Sequence, residues 1–75
     1  MSLRGYSYRL VKANETADSK HIGVRLGRFC IAADIPVAQV ADKFKVSRMT
    51  VYNWFMGIVT PHKVMVAKIE KLLNK

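Results

Sequence analysis

The sequence predicts an all-α fold, a small helical bundle of four to five helices, with a possible N-terminal strand or arm. Apolar residues recur at helical spacing in several separate segments, which is the primary signal of amphipathic helices. A chain of 75 residues, 51% of them hydrophobic, supplies one modest core. Its one cysteine excludes a disulfide framework. We therefore divide the chain into an arm or strand over 1–18 and one helical domain over 19–75.

The first 18 residues show no helical stripe. Apolar or aromatic residues instead alternate with their neighbours along the segment Tyr6–Val11. This pattern leaves three alternatives open: a partly flexible terminus, a strand that pairs with a symmetry mate or packs on the domain, and an ordered arm.

The next element is a helix predicted over Ser19 to Ala33. Its apolar stripe consists of Ile22, Leu26, Phe29 and Ala33, and three basic residues lie off the stripe, namely Lys20, Arg25 and Arg28. Glycine costs a helix about 1 kcal/mol relative to alanine, so we expect Gly23 and Gly27 to mark the close approach of another backbone. Cys30 lies in an apolar run, which favours a small buried thiol.

Two short amphipathic helices follow between Pro36 and Pro61, separated by a tight polar break. The first begins at Val37, and its buried stripe is expected to contain Val40, Ala41 and Phe44. The second opens with Ser47 as its N-cap and ends near Met56, where Gly57 can adopt the left-handed conformation. Its buried stripe is expected to contain Val51, Trp54 and Phe55. This arrangement is the pattern of a helix-turn-helix.

A last helix is predicted to begin at Pro61, with Thr60 as its cap, and to run to about Leu73. The side chains expected to close the core from this helix are Val64, Ala67 or the stem of Lys68, Leu72 and Leu73.

The charge of the chain favours a polyanionic partner. There are 13 Lys and Arg residues against 5 Asp and Glu residues, which gives a net charge of +8. No apolar run approaches the length of about 18 residues that a membrane span needs, and no signal-peptide pattern opens the chain. The histidines, the cysteine and the carboxylates are scattered without nucleophile–base or metal-ligand spacing, so neither an enzyme nor a metal site is expected. Nucleic acid is the leading partner.

From roughly Ile22 to Pro61 the chain resembles the lambda-repressor-like helix-turn-helix family of Cro and CI type. The matching residues are Ala41, where the family packs a small residue between its motif helices, and the run Ser47-Arg48-Met49-Thr50-Val51 followed by Trp54, Gly57 and Pro61. Lys45 departs from the family pattern, because a turn glycine is common there and lysine at positive φ would be strained by about 1–2 kcal/mol. Val37 also departs, where a phosphate-binding glutamine is common.

The resemblance implies that the second motif helix enters the major groove of DNA. The expected base contacts are Arg48, Met49, Tyr52 and Asn53. Arginine pairs with guanine and asparagine with adenine through two hydrogen bonds each. The expected backbone contacts are Lys45, Ser47, Thr50, Thr60, His62 and Lys63. If residues 1–18 form an arm, then Arg4, Arg9 or Lys12 would lie along phosphates or in a minor groove.

Together these features predict a sequence-specific transcriptional regulator, a Cro-like repressor that binds a palindromic operator as a homodimer. Double-stranded DNA and a second copy of the chain are the expected partners, without cofactor, small-molecule ligand or membrane. A phage or mobile-element protein of the bacterial cytoplasm or nucleoid fits this form. Two alternatives stay open. One is an accessory DNA-binding protein in packaging, recombination or replication; the other is a protein-interaction module whose patch consists of Met49, Tyr52, Phe55 and Met56.

Overall fold

The computed structural model describes residues 7–74, which form five α-helices and no strand. The helices are α1 (Tyr8–Thr16), α2 (Ile22–Ala32), α3 (Val37–Phe44), α4 (Arg48–Phe55) and α5 (Lys63–Leu73). Helix α2 lies at the centre, where it packs against α1, α4 and α5, and α4 packs also against α3 and α1. The predicted all-α bundle is therefore confirmed.

The N-terminal segment is a helix from Tyr8 onward, so the predicted strand is wrong for this part of the chain. The hydroxyl of Ser7 accepts a hydrogen bond from the Leu10 amide at 3.1 Å and caps the helix. One face is buried through Leu10 and Asn14, which are 6% and 2% exposed. Leu10 and Asn14 have the i, i+4 spacing of a helix face, but Asn14 is polar. A search for apolar residues at helical spacing therefore does not detect this helix. Tyr6 and Arg4, which belonged to the strand and arm alternatives, lie outside the described residues.

Helix α2 buries a different stripe from the predicted one. Phe29 and Ala33 are exposed, whereas the inward face contains Gly23, Val24, Leu26, Gly27 and Cys30. The two glycines contribute no apolar signal. Gly23 lies against the backbone of Trp54, as predicted, whereas Gly27 lies against the side chains of Asn14 and Phe55, so the predicted backbone approach is wrong at Gly27. The helix begins at Ile22 rather than Ser19, because the His21 ring accepts hydrogen bonds from the amides of Gly23 and Val24 and acts as the N-cap.

Helices α3 and α4 form the predicted helix-turn-helix pair. Phe44 and Trp54 pack edge to face with ring centroids 6.1 Å apart, and Ala41 is buried. Lys45 ends α3 in the left-handed region with φ of 58°, and the amide of Val46 donates to the carbonyl of Ala41 at 3.0 Å. Gly57 follows α4 with φ of 75°, as predicted for a residue that closes a helix.

Helix α5 begins two residues later than predicted. His62, not Thr60, is its N-cap, and Pro61 precedes the helix. The shift changes which side chains face the core: Ile69 is wholly buried, whereas Val64 and Ala67 are exposed. Leu72 and Leu73 pack against the core while partly exposed, as expected.

Candidate nucleic-acid interface

Helix α4 is held rigidly with one face turned outward. Val51, Trp54 and Phe55 are at most 3% exposed and anchor its inner face in the core, as predicted. At its start, the Ser47 hydroxyl accepts a hydrogen bond from the Thr50 amide at 3.1 Å, as expected of an N-cap. A helix fixed in this way can present its outer side chains in one geometry, which recognition of a rigid surface requires.

The outer face of α4 carries all four predicted base contacts. Arg48 and Met49 are exposed, and Met49 keeps 65% of its surface accessible. Tyr52, Asn53 and Met56 are half-buried. Arg48 and Asn53 bring the hydrogen-bonding groups that base edges require, and Met49 brings an apolar contact surface. The structure thus groups these side chains on one solvent-facing surface.

The predicted backbone contacts fall into two groups. Lys45, Ser47 and Thr50 surround the start of α4, where the two hydroxyls lie 2.9 Å apart and bond to each other. Thr60, His62 and Lys63 precede or begin α5. All six residues except the half-buried Thr50 are exposed. The chain therefore presents two polar edges, one from the turn and one from the loop before α5.

The two histidines act first as helix caps. The His62 Nδ1 accepts a hydrogen bond from the Val64 amide at 3.2 Å, so it occupies one of the backbone N–H groups at the start of α5. The His62 ring is exposed, so the cap leaves its other edge in contact with solvent. His21 similarly caps α2, and its Nε2 lies 3.4 Å from the Thr60 hydroxyl. This contact ties the loop before α5 to the start of α2.

Two structural residues escaped the sequence interpretation. The buried amide of Asn14 donates to the carbonyls of Val24 and Phe55 at 3.2 and 2.7 Å. Arg28 donates to three carbonyls at the C-terminal end of α1, those of Asn14, Glu15 and the C-cap Ala17. Helix α1 is thereby fixed against α2 and α4. These partners are far apart in sequence, so no local pattern indicates them.

Four observations on residues 7–74 concern functions other than nucleic-acid binding. Burial raises the pKa of the Cys30 thiol to about 11, so it stays protonated at neutral pH and is a poor nucleophile. No group of three or more His, Cys, Asp or Glu side chains in this range could hold a metal ion. None of the five helices has the length and apolarity to cross a bilayer. Phe55 is wholly buried, so it cannot belong to the exposed interaction patch that we considered.

Comparison of the chain with protein-family models, with curated proteins and with solved structures finds no significant match. What the site can do is therefore inferred from its own residues.

Proposed function

We propose that this chain is a sequence-specific regulator of transcription that binds double-stranded DNA as a homodimer and represses from a palindromic operator. The observation that carries the proposal is the outer face of α4, where Arg48, Met49 and Asn53 stand together on a helix whose inner face is locked in the core. Side chains of these types can pair with the donors, acceptors and methyl groups that base pairs expose in the major groove.

Charge and flanking residues support the same function. The net charge of +8 favours a polyanion and steers its approach. Lys45 lies in the turn before α4, and Lys63 opens α5, so a cation is available on elements before and after the base-reading face. In a helix-turn-helix protein such flanking groups hold the phosphates while the second helix reads bases.

Dimerisation is part of the proposal because short palindromic sites are read by paired helices about 34 Å apart. Ile58, Val59 and Val64 are 67%, 44% and 55% exposed and lie close together along the chain, between α4 and the first turn of α5. Apolar side chains left in solvent favour burial against a second copy. A Cro-like regulator of a phage or mobile element, working in the bacterial cytoplasm or nucleoid, fits these properties.

The test is selection from a randomised duplex pool with purified protein at near-physiological salt, followed by sequencing of the retained DNA. We expect an enriched inverted repeat whose half-sites lie about one helical turn apart. Retention without enrichment would reject sequence-specific regulation in favour of a non-specific accessory role on DNA. Absence of retention even at low salt would point instead to a protein partner.

A further inference from the structure

Helix α1 adds a second wall beside the exposed face of α4. A cleft of about 360 Å³ separates them, lined by Ser7, Arg9 and Leu10 from the start of α1 and by Met49, Tyr52 and Met56 from α4. Two of these residues, Met49 and Tyr52, are on the proposed base-reading face. Among the six described residues that line the cleft, Arg9 alone is charged, and it is exposed.

The backbone of α1, which carries Arg9, is held against α4 and α2 by hydrogen bonds along its length. Ser7 caps the helix at one end, and Arg28 binds its last carbonyls at the other. Between them, the Asn14 amide bonds directly to the last residue of α4, Phe55, at 2.7 Å. The constrained helix therefore keeps the backbone of Arg9 beside α4, and only the exposed Arg9 side chain has to be ordered when it binds a ligand.

The two basic residues of α1 point in different directions. Leu10 and Asn14 face the core, and at 100° per residue Lys12 lies on the opposite side of the helix. Arg9 lies to the side of that axis and lines the cleft with α4, whereas Lys12 does not line it. One helix therefore offers two exposed cations, of which one borders the proposed DNA surface.

We propose that Arg9 binds a phosphate of the DNA strand that borders the major groove on the Tyr52–Met56 side of α4. Because this assignment rests on the proposed function, it presupposes that α4 occupies the groove. The major groove is about 12 Å wide, so a helix inside it lies between two phosphate backbones, and elements beside that helix meet them. Guanidinium binds a phosphate through two parallel hydrogen bonds. A carboxylate of a protein partner could use the same group, but DNA is favoured by continuity with the base-reading face and by the net charge of +8.

The experiment compares Arg9→Ala with Lys12→Ala, which remove one exposed positive charge each from the same helix. Affinity for the selected duplex and for a random duplex is measured over a range of salt concentrations, and thermal unfolding verifies that both variants fold. We expect Arg9→Ala to weaken binding to both duplexes by about tenfold or more and to reduce the salt slope by about one. Lys12→Ala should leave the slope unchanged, and Arg9→Lys should restore it.

Each other outcome overturns the assignment in a distinguishable way. If the wild type enriches a site but Arg9→Ala behaves as Lys12→Ala does, Arg9 binds no phosphate while the proposed function stands. If Arg9→Ala relaxes preference at one base pair with an unchanged slope, Arg9 reads a base instead. If the wild type enriches no site, the proposed function fails and this inference fails with it.

Discussion

At the scale of single residues, Gly23 sets how closely α2 and α4 approach. A Cβ at this position would lie 2.5 Å from the carbonyl oxygen of Trp54 and 2.9 Å from its carbonyl carbon. Both atoms belong to backbone inside the packed bundle, so they cannot rotate away as the end of a flexible side chain would. The close approach that the sequence predicts at Gly23 is therefore a backbone contact, made on the helix whose outer face we assign to DNA.

Gly23→Ala is expected to lower the free energy of unfolding by about 1–3 kcal/mol, as overpacking does, even though alanine favours a helix by about 1 kcal/mol. Urea unfolding measures the change. The control is Ala38→Gly at an exposed position of α3, which should lose about 1 kcal/mol through helix propensity alone. A gain in stability for Gly23→Ala would mean that the contact with Trp54 yields without cost.

At the scale of elements, the turn between α3 and α4 holds a strained residue. Lys45 has φ of 58°, a conformation that costs a residue with a Cβ about 1–2 kcal/mol and that glycine adopts freely. The hydrogen bond from the Val46 amide to the Ala41 carbonyl holds the backbone in this conformation. A lysine kept at such a position offers its charge beside the start of α4, which is consistent with a phosphate contact.

Lys45→Gly should therefore stabilise the fold by about 0.5–1 kcal/mol, since the relieved strain exceeds the entropy that glycine adds to the unfolded chain. The same change should weaken DNA binding and reduce the salt slope by about one. Lys45→Ala is the matched control, because it removes the charge but keeps the strain. Equal stability of the two variants in urea would show that the turn stores no strain.

Helices α4 and α5 are expected to contribute to DNA binding in different ways. Arg48→Ala should relax preference at one base pair, with a loss of about 1–3 kcal/mol of discrimination, because base contacts specify sequence. Lys63→Ala should weaken selected and random duplexes alike and reduce the salt slope by about one. Competition binding with single-base variants of the selected site measures both effects. If the two substitutions act alike, the assignment of α4 to the groove is wrong.

The helix-turn-helix pair was predictable because its signals are local. Ser47, Phe44 and Gly57 mark a cap, an apolar stripe and a helix end within a short stretch, and each performs that role in the structure. Helix α1 was not predictable, since its inward Asn14 is paired with carbonyls of α2 and α4. The face of α5 was misplaced because the cap at His62 shifted its start. The outer face of α4 could be predicted because it follows from local helical spacing. The sequence offered Arg9 as a phosphate contact only if residues 1–18 form an arm, and its place beside α4 depends on the tertiary packing of α1.

At the scale of the whole molecule, the described residues measure 33 × 24 × 24 Å, and the core of so small a bundle gives modest stability. Burying further apolar surface against a second copy would add to it. The exposed side chains before and at the start of α5 are the candidates for that surface, and Ile58 is the most exposed of them. A dimer formed there would join the subunits next to the end of each α4.

Ile58→Ser should raise the dissociation constant of the dimer by about tenfold or more, because burying an isoleucine side chain contributes about 1.5–3 kcal/mol. Its effect on the unfolding of the isolated chain should be small, since 67% of this residue is exposed. Sedimentation equilibrium at several concentrations measures the constant. Phe29→Ser, which removes another exposed apolar group from α2, is the control and should leave the constant unchanged. Equal dissociation constants for the two variants would show that Ile58 is not in the dimer interface. A wild type that stays monomeric at all concentrations would contradict the dimer itself, and paired half-sites in the selected DNA would then need another explanation.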